Sequence, residues 1–135
     1  MIKTINFEIK EFNNIKQKID KLHYIGNANL LKKRKISIVG TRRPSNYTKL
    51  FTHKISSELS SRDITIVSGA AMGVDAISHR ASHNFNTIAV VANGLNIRYP
   101  SVNKKLIESI EENGLMLSQF DENEKARNMI NIKSK

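Results

Sequence analysis

Ile36-Ser37-Ile38-Val39-Gly40-Thr41-Arg42-Arg43-Pro44-Ser45 is the stretch on which the fold turns: a β-branched run, a glycine, two arginines and a residue able to cap a helix. β-branched side chains suit a pleated strand, and serine is a preferred N-cap. Residues 47–61 follow as a helix carrying Phe51, Ile55 and Leu59 at i, i+4 and i+8. The pattern then repeats. A strand over 64–67 ends at Ser68-Gly69, and a helix over 74–83 turns Val74, Ile77 and Ala81 inward. A strand over 87–92 ends at Asn93-Gly94, a helix over 101–113 is closed by Gly114, and 115–117 form a fourth strand before a polar, helical tail. Strands alternating with helices of this length predict a parallel sheet with right-handed crossovers, a Rossmann-like three-layer α/β domain.

Upstream, residues 8–22 place Phe12, Ile15, Ile19 and Leu22 on one face, the pattern of an amphipathic helix packed on its own domain. Residues 27–35 are polar, basic and turn-like. The expected organisation is therefore an N-terminal helix and basic linker over 1–35 and the α/β domain over 36–135.

The 135 residues suffice for one domain with a core. Lys and Arg number 22 against 12 acidic residues, a net charge of +10 that favours polyanionic partners through counterion release. With no cysteine, disulfides, thiolate catalysis and Cys-based metal sites are excluded. No apolar run approaches the roughly 20 residues of a membrane span. Met1-Ile2-Lys3-Thr4 does not open a secretory signal. A cytoplasmic protein is expected.

Ligands of open parallel sheets bind beyond the carboxyl ends of the strands, where the loops 40–45, 68–73 and 93–100 and the segment after Ser118 converge. In the first loop Arg42 and Arg43 precede a helix N-terminus, an arrangement suited to phosphate. Ser45 caps that helix or reaches a phosphate. In the second, Gly69 and Gly73 let a ligand approach the backbone of Ser68-Gly69-Ala70-Ala71-Met72-Gly73, or serve only a tight turn. Asp75 and His79, four apart, read as a helix-end ion pair or cap in preference to an acid/base couple. His23, His53 and His83 lack ligand spacing, so neither metal nor cofactor is expected. A dinucleotide site is disfavoured because the first strand leads into G-T-R-R-P-S in place of G-x-G-x-x-G, and no P-loop occurs. Phe51 reads as core. Tyr47 and Tyr99, near the loops, are stacking candidates or core.

These blocks resemble the DprA/Smf (DNA-processing protein A) family. Ile38 to Ser45 is similar to its IVGsRxxS block, Ser68 to Asp75 to SGxAxGID, and Ser78-His79 to its AH. Thr87 to Leu95 with Tyr99-Pro100 resembles TIAVLGxGLDxxYP, Gly114 to Ser118 resembles GxllSE, and Leu22 to Gly26 resembles LYxxG. The resemblance implies a non-catalytic protein that binds single-stranded DNA in a basic pocket, protects DNA taken up in natural transformation and hands it to the RecA recombinase. It places Arg42, Arg43, Ser45, Ser68, Gly69 and Gly73 in that pocket, with Arg127 from the tail. Gln119 stands where the family has glutamate, the following loop is short, and Met129 replaces the second arginine of RNR. The sequence stops at Lys135, before the family's SGxxxTA segment and dimer surface. A truncated or degenerating member, with an incomplete sheet, an exposed edge and no secure homodimer, is the expectation. Two alternatives stand beside it. One is a LOG-type nucleoside-monophosphate phosphoribohydrolase, whose PGGxGTxxE signature is absent and for which Glu108, Glu111 and Glu112 lie off the loop edge. The other is an inert remnant.

Overall fold

The computed structural model describes residues 1–7, 9 and 21–125. The helix expected over 8–22 lies outside the described residues, apart from Ile9 and its last two positions. So do Arg127 and the block around it.

The strands are β1 (Lys3–Thr4), β2 (His23–Gly26), β3 (Arg34–Ser37), β4 (Ile64–Ser68), β5 (Thr87–Val90) and β6 (Leu115–Ser118). The helices are α1 (Asn46–Ser61), α2 (Val74–Ala81) and α3 (Lys104–Asn113), with 3₁₀ turns at Ala28–Lys32, His83–Phe85 and Ser101–Asn103. One sheet holds all six strands in the order β1-β2-β6-β5-β4-β3. The four strands β3 to β6 run parallel, as their alternation with helices requires. β2 joins antiparallel to β6, with Tyr24 opposite Leu117, and β1 antiparallel to β2. The expected parallel sheet is thus extended into a mixed one by strands from the first 35 residues.

Because β3, β4, β5 and β6 are laid down consecutively, right-handed crossovers bring α1, α2 and α3 onto one face. Strand alternation then sorts the core in two. Ala89 of β5 and Met116 of β6 pack under the helices with Ala76, Leu106, Ile107 and Ile110. Ile88, Leu115 and Leu117 point the other way, where the described cover is Leu22 with Leu30 from the first 3₁₀ turn.

Two local expectations change. The first parallel strand begins and ends two residues earlier than expected. Its register pairs Arg34 with Ile64 and Ser37 with Val67, so the ladder draws in residues that read as linker. Ile38 still donates to the Val67 carbonyl at 2.9 Å, but Val39 is left 70% exposed at the edge. α1 also turns a different face inward. Thr52, Ser56 and Ser60 are buried, whereas Phe51 is 52% exposed and not core. Small hydroxyl side chains let α1 approach α2 closely. Ser56 Oγ donates to the Ser78 carbonyl at 2.5 Å, and Ser60 Oγ accepts from the His83 amide at 2.7 Å. A Phe-Ile-Leu stripe would have held the helices apart.

Candidate nucleic-acid interface

The carboxyl ends of β3, β4 and β5 feed the three loops expected to form the site. The first two are interlocked through their backbones. Gly73, the N-cap of α2, sits at φ 84°, in the left-handed region that favours glycine. A side-chain carbon there would lie 2.6 Å from the Arg42 carbonyl oxygen and closer still to that of Thr41. The Val74 amide donates to the Thr41 carbonyl at 3.1 Å, closing the contact. Gly73 therefore serves the approach of loop 40–45 onto the start of α2.

That clamp fixes the backbone of the arginine loop and leaves its side chains outside. The Arg43 amide donates to Thr41 Oγ1 at 3.1 Å. Ser45 accepts from the Thr48 amide at 3.2 Å, the N-cap of α1. Arg42 and Arg43 are exposed and make no side-chain hydrogen bond or ion pair among the described residues. Two unspent guanidinium groups thus stand on a braced turn, open to an anion.

Loop 68–73 is organised differently. The carboxylate of Asp75, buried in the first turn of α2, accepts from the Gly69 amide at 3.1 Å and the Ala71 amide at 3.4 Å. His79 Nε2 accepts from the Ala70 amide at 3.2 Å. Asp75 and His79 do not pair with one another; each holds the loop. Thr87 Oγ1 donates to the Ile66 carbonyl at 2.9 Å, so at 2.7 Å it accepts the Nδ1 proton of His79. The imidazole is thereby fixed as the neutral Nδ1–H tautomer. Burial pushes its pKa down to about 4. Ala70, at φ 60°, is gripped from both sides, because Asn103 Nδ2 donates to its carbonyl at 2.9 Å. The amides that would have cradled a phosphate are already occupied. Gly69 has a steric role, since a side-chain carbon there would sit 3.0 Å from the Asp75 carboxylate. Ser68 keeps something in reserve: its hydroxyl is buried and has no hydrogen-bond partner among the described residues.

The third loop is closed by the segment after β6. Ser118 Oγ donates to the Asn93 carbonyl at 2.7 Å, and Asn96 and Gly94 donate to the carbonyls of Glu122 and Glu124. Arg98 is spent on a bidentate pair with Glu111 at 2.8 and 3.0 Å, which holds the guanidinium more firmly charged. Glu111 accordingly reaches this loop's arginine, contrary to the expectation that it lay apart. Tyr99 is 53% exposed and Tyr47 73% exposed, so neither is core. No three His, Asp or Glu side chains among the described residues are grouped to hold a metal.

Ser68, Gly69 and Gly73 lie together on the β4–α2 turn, and Arg42, Arg43 and Ser45 on the neighbouring loop. The clamping roles of Asp75, His79 and Asn103 were not apparent in the sequence. A carboxylate two positions after Gly73 was the available signal for the first.

The family model for DNA recombination-mediator protein A matches residues 8–132. The chain belongs to that family. It is 44% identical over 87 residues to Protein Smf of Synechocystis sp., covering 63% of this chain and 22% of that protein. It is 38% identical over 101 residues to the DNA processing protein DprA of Streptococcus pneumoniae, covering 73% of this chain and 36% of that one. The chain thus spans between about a fifth and just over a third of the length of these two family members. Among solved structures, that of DNA processing protein A from Helicobacter pylori, which concerns its single-stranded DNA binding mode, superposes with a TM-score of 0.90 at 34% identity, over 94% of this chain and 59% of that one. The X-ray structure of Streptococcus pneumoniae DprA gives a TM-score of 0.84 at 31% identity, over 95% and 46%. The α/β fold expected from the alternating pattern is that of the family.

Proposed function

We propose that this DprA/Smf chain binds single-stranded DNA without catalytic turnover, chiefly through phosphates held by Arg42 and Arg43. The observation that carries the reading is that both guanidinium groups are exposed, and unspent among the described residues, on a loop whose backbone is locked over the start of α2. Ser68, whose hydroxyl has no partner among the described residues, and Met72-Gly73 at the helix N-terminus border the same place. Gly69 shapes it. Ser45 contributes by fixing where α1 begins, and Arg127 adds a further cation from the tail. A net charge of +10 suits such a ligand, and the family likeness to a protein studied for single-stranded DNA binding points the same way.

Within a cell the same reading makes this a cytoplasmic protein of natural transformation, protecting incoming strands and delivering them to the RecA recombinase, with no secure homodimer. No helix among the described residues is long and apolar enough to cross a membrane. The test is a fluorescence-anisotropy titration of labelled poly-dT over a salt series, with Arg42→Ala/Arg43→Ala in parallel. The expected result is affinity that falls steeply with salt and is largely lost in the variant. Weak binding that the variant leaves unchanged would place no pocket at this loop and favour an inert remnant.

A further inference from the structure

We infer that the exposed face of α1 is a base-stacking track that continues the arginine loop and makes the site selective for unpaired nucleic acid. The inference rests on the phosphate reading above. The Ser45 cap sets the helical phase, so Tyr47, Leu50, Phe51 and Lys54 fall at i, i+3, i+4 and i+7 on one face. All four are exposed. Tyr47, Leu50 and Phe51 stand out at 73%, 74% and 52%. The two rings lie against each other, centroids 6.1 Å apart and planes 29° from parallel.

Aromatic groups of this size normally bury themselves, and α1 declines to bury them because its inner face is the serine and threonine seam against α2. What remains is an apolar, π-faced strip bounded by cations. Arg42 and Arg43 stand before its first turn, and Lys54 stands two turns on, about 10 Å along the helix from Tyr47. Glu58, the only acidic residue of α1, occupies the next turn of the same face and ends the strip for a polyanion. Apolar faces flanked by positive charge match a ligand that offers flat rings on an anionic backbone. Bases within a duplex are stacked on one another and cannot meet such a strip, whereas unpaired bases can.

Anisotropy titrations with two strands of equal length, poly-dT and an abasic deoxyribose-phosphate oligomer, separate ring contacts from phosphate contacts. The wild-type chain is expected to prefer poly-dT. Tyr47→Ala should remove one stacking platform, weaken poly-dT about tenfold and leave the abasic strand unchanged. Phe51→Ala should act in the same direction, and Tyr47→Phe, which keeps the ring, should restore most of the loss. Arg42→Ala/Arg43→Ala should weaken both strands alike. Equal losses on both strands in Tyr47→Ala, or no loss on either, would overturn the track and leave the phosphate site standing. A Tyr47→Ala effect confined to self-association in sedimentation, with strand preference intact, would make the strip a protein contact and also overturn it. Arginine variants that bind both strands as wild type does would refute the phosphate reading by itself. A wild-type chain that binds neither strand would refute both.

Discussion

The loops 40–45 and 68–73 sit against each other, both carry a strand into a helix, and they use their polar groups in opposite ways. In the second loop the amides of Gly69, Ala70 and Ala71 are consumed by Asp75 and His79. In the first, the backbone is held by its neighbour and the two arginine side chains are left over. One loop is scaffold and the other is available for binding. A functional loop here is precise because the backbone amides of the loop beneath it are taken up internally, and substitutions in the two should separate stability from binding.

The contact between the loops is where that division can be broken most severely. Gly73→Val would place a β-branched side chain at φ 84° and against the Thr41 and Arg42 carbonyls. The expected loss is about 4 kcal/mol in urea unfolding, or no cooperative transition at all. A variant as stable as the wild type would show that the two loops are not braced together.

His79 gives the scaffold loop a signature in pH. Its folded-state pKa of about 4 lies below the ordinary value of 6.5, so between those values the unfolded chain binds more protons than the folded one. Stability should therefore be full above pH 6.5 and decline as pH falls towards 4, by about 3 kcal/mol from this group. Denaturant midpoints measured across that window should show the decline in the wild type and a flatter profile in His79→Gln. Identical profiles would mean that the imidazole is not held neutral between Ala70 and Thr87. Asp75→Asn should cost less, about 1–2 kcal/mol, because an amide oxygen still accepts from Gly69 and Ala71 but without charge.

How much of this was legible in the sequence differs along the same line. The strand–helix alternation from residue 36 onward carried the parallel sheet, because the first three parallel strands are β-branched runs with a glycine or polar break behind them, and Leu115-Met116-Leu117 repeats the short apolar run after Gly114. β1 and β2 were not legible. A two-residue strand has no periodicity, and His23-Tyr24-Ile25-Gly26 becomes a strand only by pairing with β6. α1 misled in an instructive way, since it presents two rows at four-residue spacing. Phe51, Ile55 and Leu59 form one, and Thr52, Ser56 and Ser60 the other. Hydrophobicity points to the first, yet close approach of α2 selects the second. At the site, the arginines were readable because their chemistry is local. The use of Asp75 and His79 depends on a carboxylate and an imidazole folding back over four to nine residues, which spacing alone leaves open.

The smallest expected effect on stability discriminates most sharply. Arg42 and Arg43 have no side-chain partner to lose among the described residues, so Arg42→Ala/Arg43→Ala should shift the unfolding free energy by no more than about 0.5 kcal/mol. Removing two like charges from a chain of net charge +10 also lessens self-repulsion, so a slight gain is the more consistent sign. Poly-dT affinity measured on the same samples should nevertheless collapse. Stability falling together with affinity would mean that the arginines brace the loop, and that the division between a saturated scaffold and a spare binding loop is drawn in the wrong place.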